Sequence, residues 1–298
     1  MQTISKGLIL NGLDHAMAFC HSIGLKPDQT RFGFYRRRIK DLVEAIEQKA
    51  RTGELPQSLE NLPDYEYIIP VTEAAEFGDA IRSLHDSDLA PLRKKIGDVL
   101  QGPQFPIHES QHSNLARNVL FELNLGGRLR RAGFQPRLGE HPDLTCEVDG
   151  KKLLFECKRP FSHTKIKTRI RDARKQLLAE LRRVSTVSPG SRGVIAISVT
   201  KVLNRGDLFL RGSTELSVRR GLERDVSGIA ERVRDAWKQL QGTDIIGILF
   251  HLITPAVVEA NKMYVVAQQV TGFSLARRGT RDAEVMRTLV SGLRTTHY

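Results

Sequence analysis

A two-residue turn constrains this chain more than any other feature. In "HPDLTCEVDGKKLLFECKRP", residues 141–160, Asp149-Gly150 separates the apolar runs 144–148 and 151–157. Asp-Gly between alternating runs is the signature of a type I′ hairpin. A two-residue loop also sets the register, so that Val148 faces Lys151, Cys146 faces Leu153 and Leu144 faces Phe155. That gives one apolar face. On the other face Thr145 opposes Leu154, and Asp143 opposes Glu156. Directly opposed Cβ atoms lie about 4.5–5.5 Å apart, and like charges placed there destabilise a sheet. Strand alternation puts Lys158 on the same face as Glu156. Two carboxylates and an ammonium therefore converge at the open end of the hairpin, where a divalent cation is the expected compensation.

The charge of the chain is concentrated around this hairpin. The net charge is +12, and residues 101–220 hold 23 Lys/Arg against 11 Asp/Glu, which accounts for the whole excess. A local basic field suits a polyanion, most often nucleic acid, and the alternative reading is a solubilising surface. The most basic stretch is "SHTKIKTRIRDARKQLLAELRRV" (162–184), which reads as a helix. Arg159, Lys165, Lys167, Arg169, Arg174 and Lys175 are the expected nucleic-acid contacts.

Around this segment the pattern is that of an α/β protein. Residues 1 to about 104 read as a mainly helical N-terminal domain, with amphipathic spacing in "RRRIKDLVEAIEQKA" and helical stretches at 73–86 and 90–102. Within it "RFGFYRRR" (31–38) has two readings: aromatics and arginines that grip nucleic acid, or a loop entering a helix. "GPQFPIH" marks a boundary, so residues 105–298 form the second domain. There a helix capped by Ser113 or Asn114 carries Leu115, Val119, Leu120 and Leu123 on one stripe, with Gly126-Gly127 weakening it. "VIAISVT" (194–200) is a strand covered on both faces. Residues 201–220 read as an insertion or mobile loop, 223–241 as a helix, and "DIIGILFHLI" and "MYVVAQQV" as the last strands. The expected core is a mixed sheet flanked by helices. The three cysteines have no zinc-like spacing and read as core residues in a reducing, cytoplasmic compartment. No secretory signal is expected, and the most apolar run, 245–258, is too short for a bilayer.

Pro142-Asp143 and Glu156-Cys157-Lys158, on a hairpin between helices, resemble the PD and ExK motifs of the PD-(D/E)XK nuclease superfamily, the restriction-endonuclease-like fold. The resemblance covers roughly residues 109–200, or to 270 at its widest. It implies a Mg²⁺- or Mn²⁺-dependent nuclease cutting DNA. Asp143 and Glu156 would hold the metal together with the Cys157 carbonyl, and Lys158 would act on the water or the phosphate. Glu122 would complete the site from the preceding helix, with Glu109 as the fallback, and Gln176 would act from the helix after ExK. The chain departs from some relatives in having Glu180 where they carry tyrosine. A homodimer, and a protein partner that gates activity as in restriction or anti-phage defence, follow by analogy alone. The competing readings are an RNA-directed nuclease and a catalytically silent nucleic-acid-binding scaffold on the same fold.

Overall fold

In the computed structural model, which describes residues 6–52, 65–110, 113–205, 208, 210–261 and 263–295, the hairpin forms in the expected register. Leu144–Val148 (β2) and Lys151–Lys158 (β3) pair antiparallel, with Leu144 opposite Phe155 and Val148 opposite Lys151. Asp149 at φ 50° and Gly150 at φ 74° take the left-handed conformations that the tight turn requires. A short strand, Arg137–Leu138 (β1), extends the hairpin at the sheet edge.

On its other side β3 pairs in parallel with Arg192–Ser198 (β4), which in turn lies parallel to Ile245–Val258 (β6). Met263–Ser274 (β7) closes this side antiparallel to β6, and Leu210–Gly212 (β5) pairs with the far end of β6. The result is a mixed seven-stranded sheet. The 14 residues of β6 are buried throughout and run straight through Pro255 rather than breaking there. The proline is tolerated because β4 ends opposite His251 and β5 begins opposite Ala256. Pro255 thus falls in the gap, where its missing N–H leaves no ladder bond unmade.

Helices cover both faces. On one, Leu154, Ile195, Ile197, Ile248 and Phe250 pack against His163–Val184 (α6), Glu215–Arg232 (α8) and Arg234–Lys238 (α9). On the other, Leu153, Phe155, Val194, Ala196 and Leu249 pack against Leu115–Arg131 (α5) and Arg281–Thr295 (α10). The N-terminal helices are Lys6–Ser22 (α1), Arg31–Thr52 (α2), Tyr65–Leu84 (α3) and Leu89–Leu100 (α4). Their apolar cluster takes in Val119, Leu120 and Leu123 of α5 together with Ile253 and Val266 of the sheet. The helices and the sheet thus share one core across residue 104. No helix among the described residues is long and apolar enough to cross a membrane.

Several expectations need correction. Residues 201–220 are not an open loop: Thr200–Leu203 (α7), β5 and the start of α8 occupy most of the stretch. Gly126-Gly127 does not interrupt α5: the helix runs through both glycines, which pack closely, Gly127 against Ala80 and Ser83 of α3. Leu115 leaves the apolar stripe and is exposed. The C-terminal helix α10 was not anticipated. "RFGFYRRR" is neither a loop nor an open aromatic surface: it forms the first turns of α2, with Arg31, Phe32 and Tyr35 buried and the half-buried Phe34 ring under Arg38. All three cysteines are buried free thiols.

A small cavity of about 60 Å³ separates α3 and α5 from β4 and β6, and His251 lines it. The His251 ring stacks on Phe121 at 5.5 Å, with Gln268 beside it. Burial, reinforced by the Arg128 charge, pushes its pKa down to about 3 from an ordinary 6.5. Below pH 6.5 the unfolded chain therefore takes up a proton that the folded chain refuses. Stability is lost as pH falls from 6.5 towards 3. His251→Phe, which keeps the stack, is expected to flatten this acid limb. Urea midpoints measured above and below pH 6.5 in both proteins check it, and an unchanged pH dependence refutes it.

Candidate functional site

The site is built at the end of the sheet where β2 begins and β3 finishes. The connection from β1 to β2 is tight: a Cβ on Gly139 would lie 2.5 Å from the Pro142 carbonyl oxygen, so only glycine fits. The Gly139 N–H donates to the Asp143 carbonyl at 3.0 Å, which closes the turn and delivers Asp143 to the mouth of the hairpin. There the Cys157 N–H donates to Asp143 Oδ2 at 2.7 Å. A strand residue turns its N–H and C=O to the same side, so the Cys157 carbonyl faces Asp143 as well. The Cys157 thiol instead points into the core.

Glu156 is only 1% exposed. Lys158 Nζ donates to its Oε1 at 2.5 Å, while Oε2 is buried with no hydrogen-bond partner among the described residues. Glu122 reaches the same place from α5 and is buried against Lys95 of α4. Glu122, Asp143 and Glu156 are thus brought within electrostatic range of one another. Burial and the Asp143 charge raise the Glu122 pKa to about 7, against the pull of Lys95. Burial also raises Asp143, against the Cys157 N–H and Lys158, and it raises Glu156 together with the Asp143 charge. Among the described residues, no three His, Cys, Asp or Glu side chains are gathered closely enough to enclose a cation. Lys95 and Lys158 each hold a carboxylate oxygen in this arrangement.

Lys95 is the site residue that the sequence reading missed. It lies on the buried stripe Leu92, Ile96, Val99 of α4, and a lysine interrupting an apolar stripe was the available signal. Glu109, the fallback for Glu122, serves elsewhere: it accepts two bonds of 3.0 Å from Arg159 and lies 3.6 Å from Lys201.

The basic residues divide. Lys165, Arg169, Arg174 and Lys175 stand on the exposed side of α6, and Lys167 is half-buried and paired with Asp235 at 2.8 Å. Arg159 does not join them. Its guanidinium is turned inward onto Glu109, since as an odd-numbered neighbour of Lys158 it points to the opposite face of the sheet. Gln176 is exposed on α6.

A buried ionic network lies behind the site. Glu73 of α3 binds Arg117 of α5 at 2.6 Å and Arg31 of α2 at 3.2 Å, and the Tyr35 hydroxyl donates to Glu73 at 3.2 Å. No protein-family model matches the chain, and no curated protein or solved structure matches it.

Proposed function

We propose that this chain is a metal-dependent nuclease of the restriction-endonuclease-like fold that hydrolyses phosphodiester bonds in DNA. The observation that carries the reading is the approach of Asp143, just before β2, Glu156 of β3 and Glu122 of α5 beside Lys158, with Glu156 Oε2 buried and without a hydrogen-bond partner among the described residues. Carboxylates that repel one another in a desolvated site suit a hard cation. In the arrangement described these carboxylates do not enclose a cation, so Asp143, Glu156, Glu122 and the Cys157 carbonyl would hold it only on closing together, with Lys95 and Lys158 giving up their carboxylate oxygens. Mg²⁺ or Mn²⁺, when bound, supplies charge neutralisation at the phosphate and acidifies a water.

The chain's own groups do the rest. The Cys157 N–H keeps the Asp143 carboxylate aimed at the site, and Lys95 holds Glu122. Lys158, a compact cation on a flexible stem, is placed to hold the scissile phosphate or orient the attacking water. Lys165, Arg169, Arg174 and Lys175 on α6, which starts close after Lys158, would neutralise the flanking backbone and make binding strongly salt-dependent. Gln176 on the same helix would steady that backbone.

The lysine pairs on Glu122 and Glu156 favour a second reading. With those charges already neutralised, the fold would bind nucleic acid without cutting it, or await a partner that gates it, as in restriction or anti-phage defence. A homodimer would let two sites cut both strands.

The test is incubation of the purified protein with supercoiled plasmid in Mg²⁺ or Mn²⁺, beside EDTA. Nicking or linearisation that requires the metal is the expected outcome. Binding without cleavage of plasmid, single-stranded DNA and RNA would overturn the nuclease reading in favour of the second. Cleavage of RNA alone would change the substrate.

A further inference from the structure

At the edge opposite the hairpin, β7 pairs among the described residues with β6 alone, leaving its outer side without a strand. The Leu275 N–H donates to the Ile246 carbonyl at 2.8 Å, and Gly247 lies opposite Ser274. Alternate residues of an antiparallel strand bond to the same neighbour. Phe273 and Thr271 therefore bond towards β6, while Gly272 and Ser274 turn their N–H and C=O groups outward. Those two residues lie in a groove of about 1400 Å³, walled by α8 on one side and α10 on the other. Among the described residues the lining holds four arginines, Arg219, Arg278, Arg287 and Arg294, all exposed, and no Asp or Glu.

We propose that this groove receives an extended acidic peptide of a partner protein, which adds to β7 as a further strand. An open strand edge is a template for another backbone. It offers alternating donors and acceptors, which a peptide answers in kind. A DNA backbone brings acceptors only and would set phosphates against the outward carbonyls, and RNA adds only its 2′-hydroxyls as donors. A second copy of this chain would bring its own arginines against these four. Side chains at alternate positions of the added strand share one face, so acidic residues on that face meet Arg287 and Arg294 of α10, while Arg219 of α8 stands on the other side. This surface is remote from the carboxylate site and does not rest on the nuclease reading.

The test uses the full chain and a labelled synthetic peptide of alternating Glu and Val. Fluorescence anisotropy should show salt-sensitive binding, and amide exchange followed by NMR should slow at Gly272 and Ser274. Reversing the exposed Arg287 and Arg294 (R287E/R294E) should weaken binding about tenfold or more without lowering the unfolding temperature. Equal binding of a Lys-Val peptide, or no binding by either, would overturn the proposal. Oligothymidylate binding that needs the same arginines but leaves exchange unchanged would make the groove a nucleic-acid track instead. Protection of these amides without peptide, in a dimer by sedimentation, would assign the edge to a second copy.

Discussion

Lys158→Ala and Glu156→Gln will each lower metal-dependent plasmid cleavage by about two to four orders of magnitude, the range for losing a positioned group that acts in the transition state. They will differ in stability. Glu156 is buried beside the raised carboxyl of Asp143, with one oxygen unpartnered, so the folded protein pays for its charge. Glu156→Gln removes the charge at nearly constant volume and should raise metal-free stability by about 0.5–2 kcal/mol. Lys158→Ala takes away the ammonium 2.5 Å from that same carboxylate. It should destabilise by about 1–3 kcal/mol, the cost of leaving a buried polar group unsatisfied. Urea unfolding in EDTA beside the cleavage assay separates the two. Loss of activity with equal destabilisation in both variants would mean that the carboxylates serve folding, and the nuclease reading would lose its support.

The part of the site legible in the sequence was the part carried by local geometry. Asp149-Gly150 sets the register, and register alone places Asp143, Glu156 and Lys158 together. Alternation along β3 also held the information that Arg159 faces away from Lys158, yet the basic run around it masked that. A charge count cannot distinguish an arginine in solvent from one turned onto Glu109. Lys95 and Glu73 were beyond reach for a different reason. Their partners, Glu122 and Arg117, lie 27 and 44 residues away, and only the packing of α3, α4 and α5 brings them close. The C-terminal helix α10 was within reach. Val285, Met286, Leu289 and Leu293 are spaced for a helix and form its buried face. The basic groove at β7 was out of reach, since its arginines come from α8, a turn and α10.

Residues 105–298 expressed alone are expected not to fold, although composition and "GPQFPIH" suggest a boundary there. Five apolar side chains beyond that point, Val119, Leu120, Leu123, Ile253 and Val266, lie in the cluster formed with the N-terminal helices. Exposing them forfeits about 1.5–3 kcal/mol each. The sum is comparable to the whole stability of a domain, about 5–15 kcal/mol. The ionic network makes the same link with charges. Arg117 of α5 is bound to Glu73 of α3, and its Nη2 also donates to the Tyr35 hydroxyl and the Gln104 carbonyl. Arg117→Met in the intact chain keeps the apolar stem but leaves the buried Glu73 with Arg31 as its ion-pair partner among the described residues. A loss of about 3–5 kcal/mol is expected. Because α5 carries Glu122 as well as Arg117, such a loss would also loosen the carboxylate site from behind. Circular dichroism of the truncated protein and urea unfolding of Arg117→Met are the measurements. A cooperative, native-like transition in residues 105–298 would show instead that the sheet stands alone and that the helical part is an appendage.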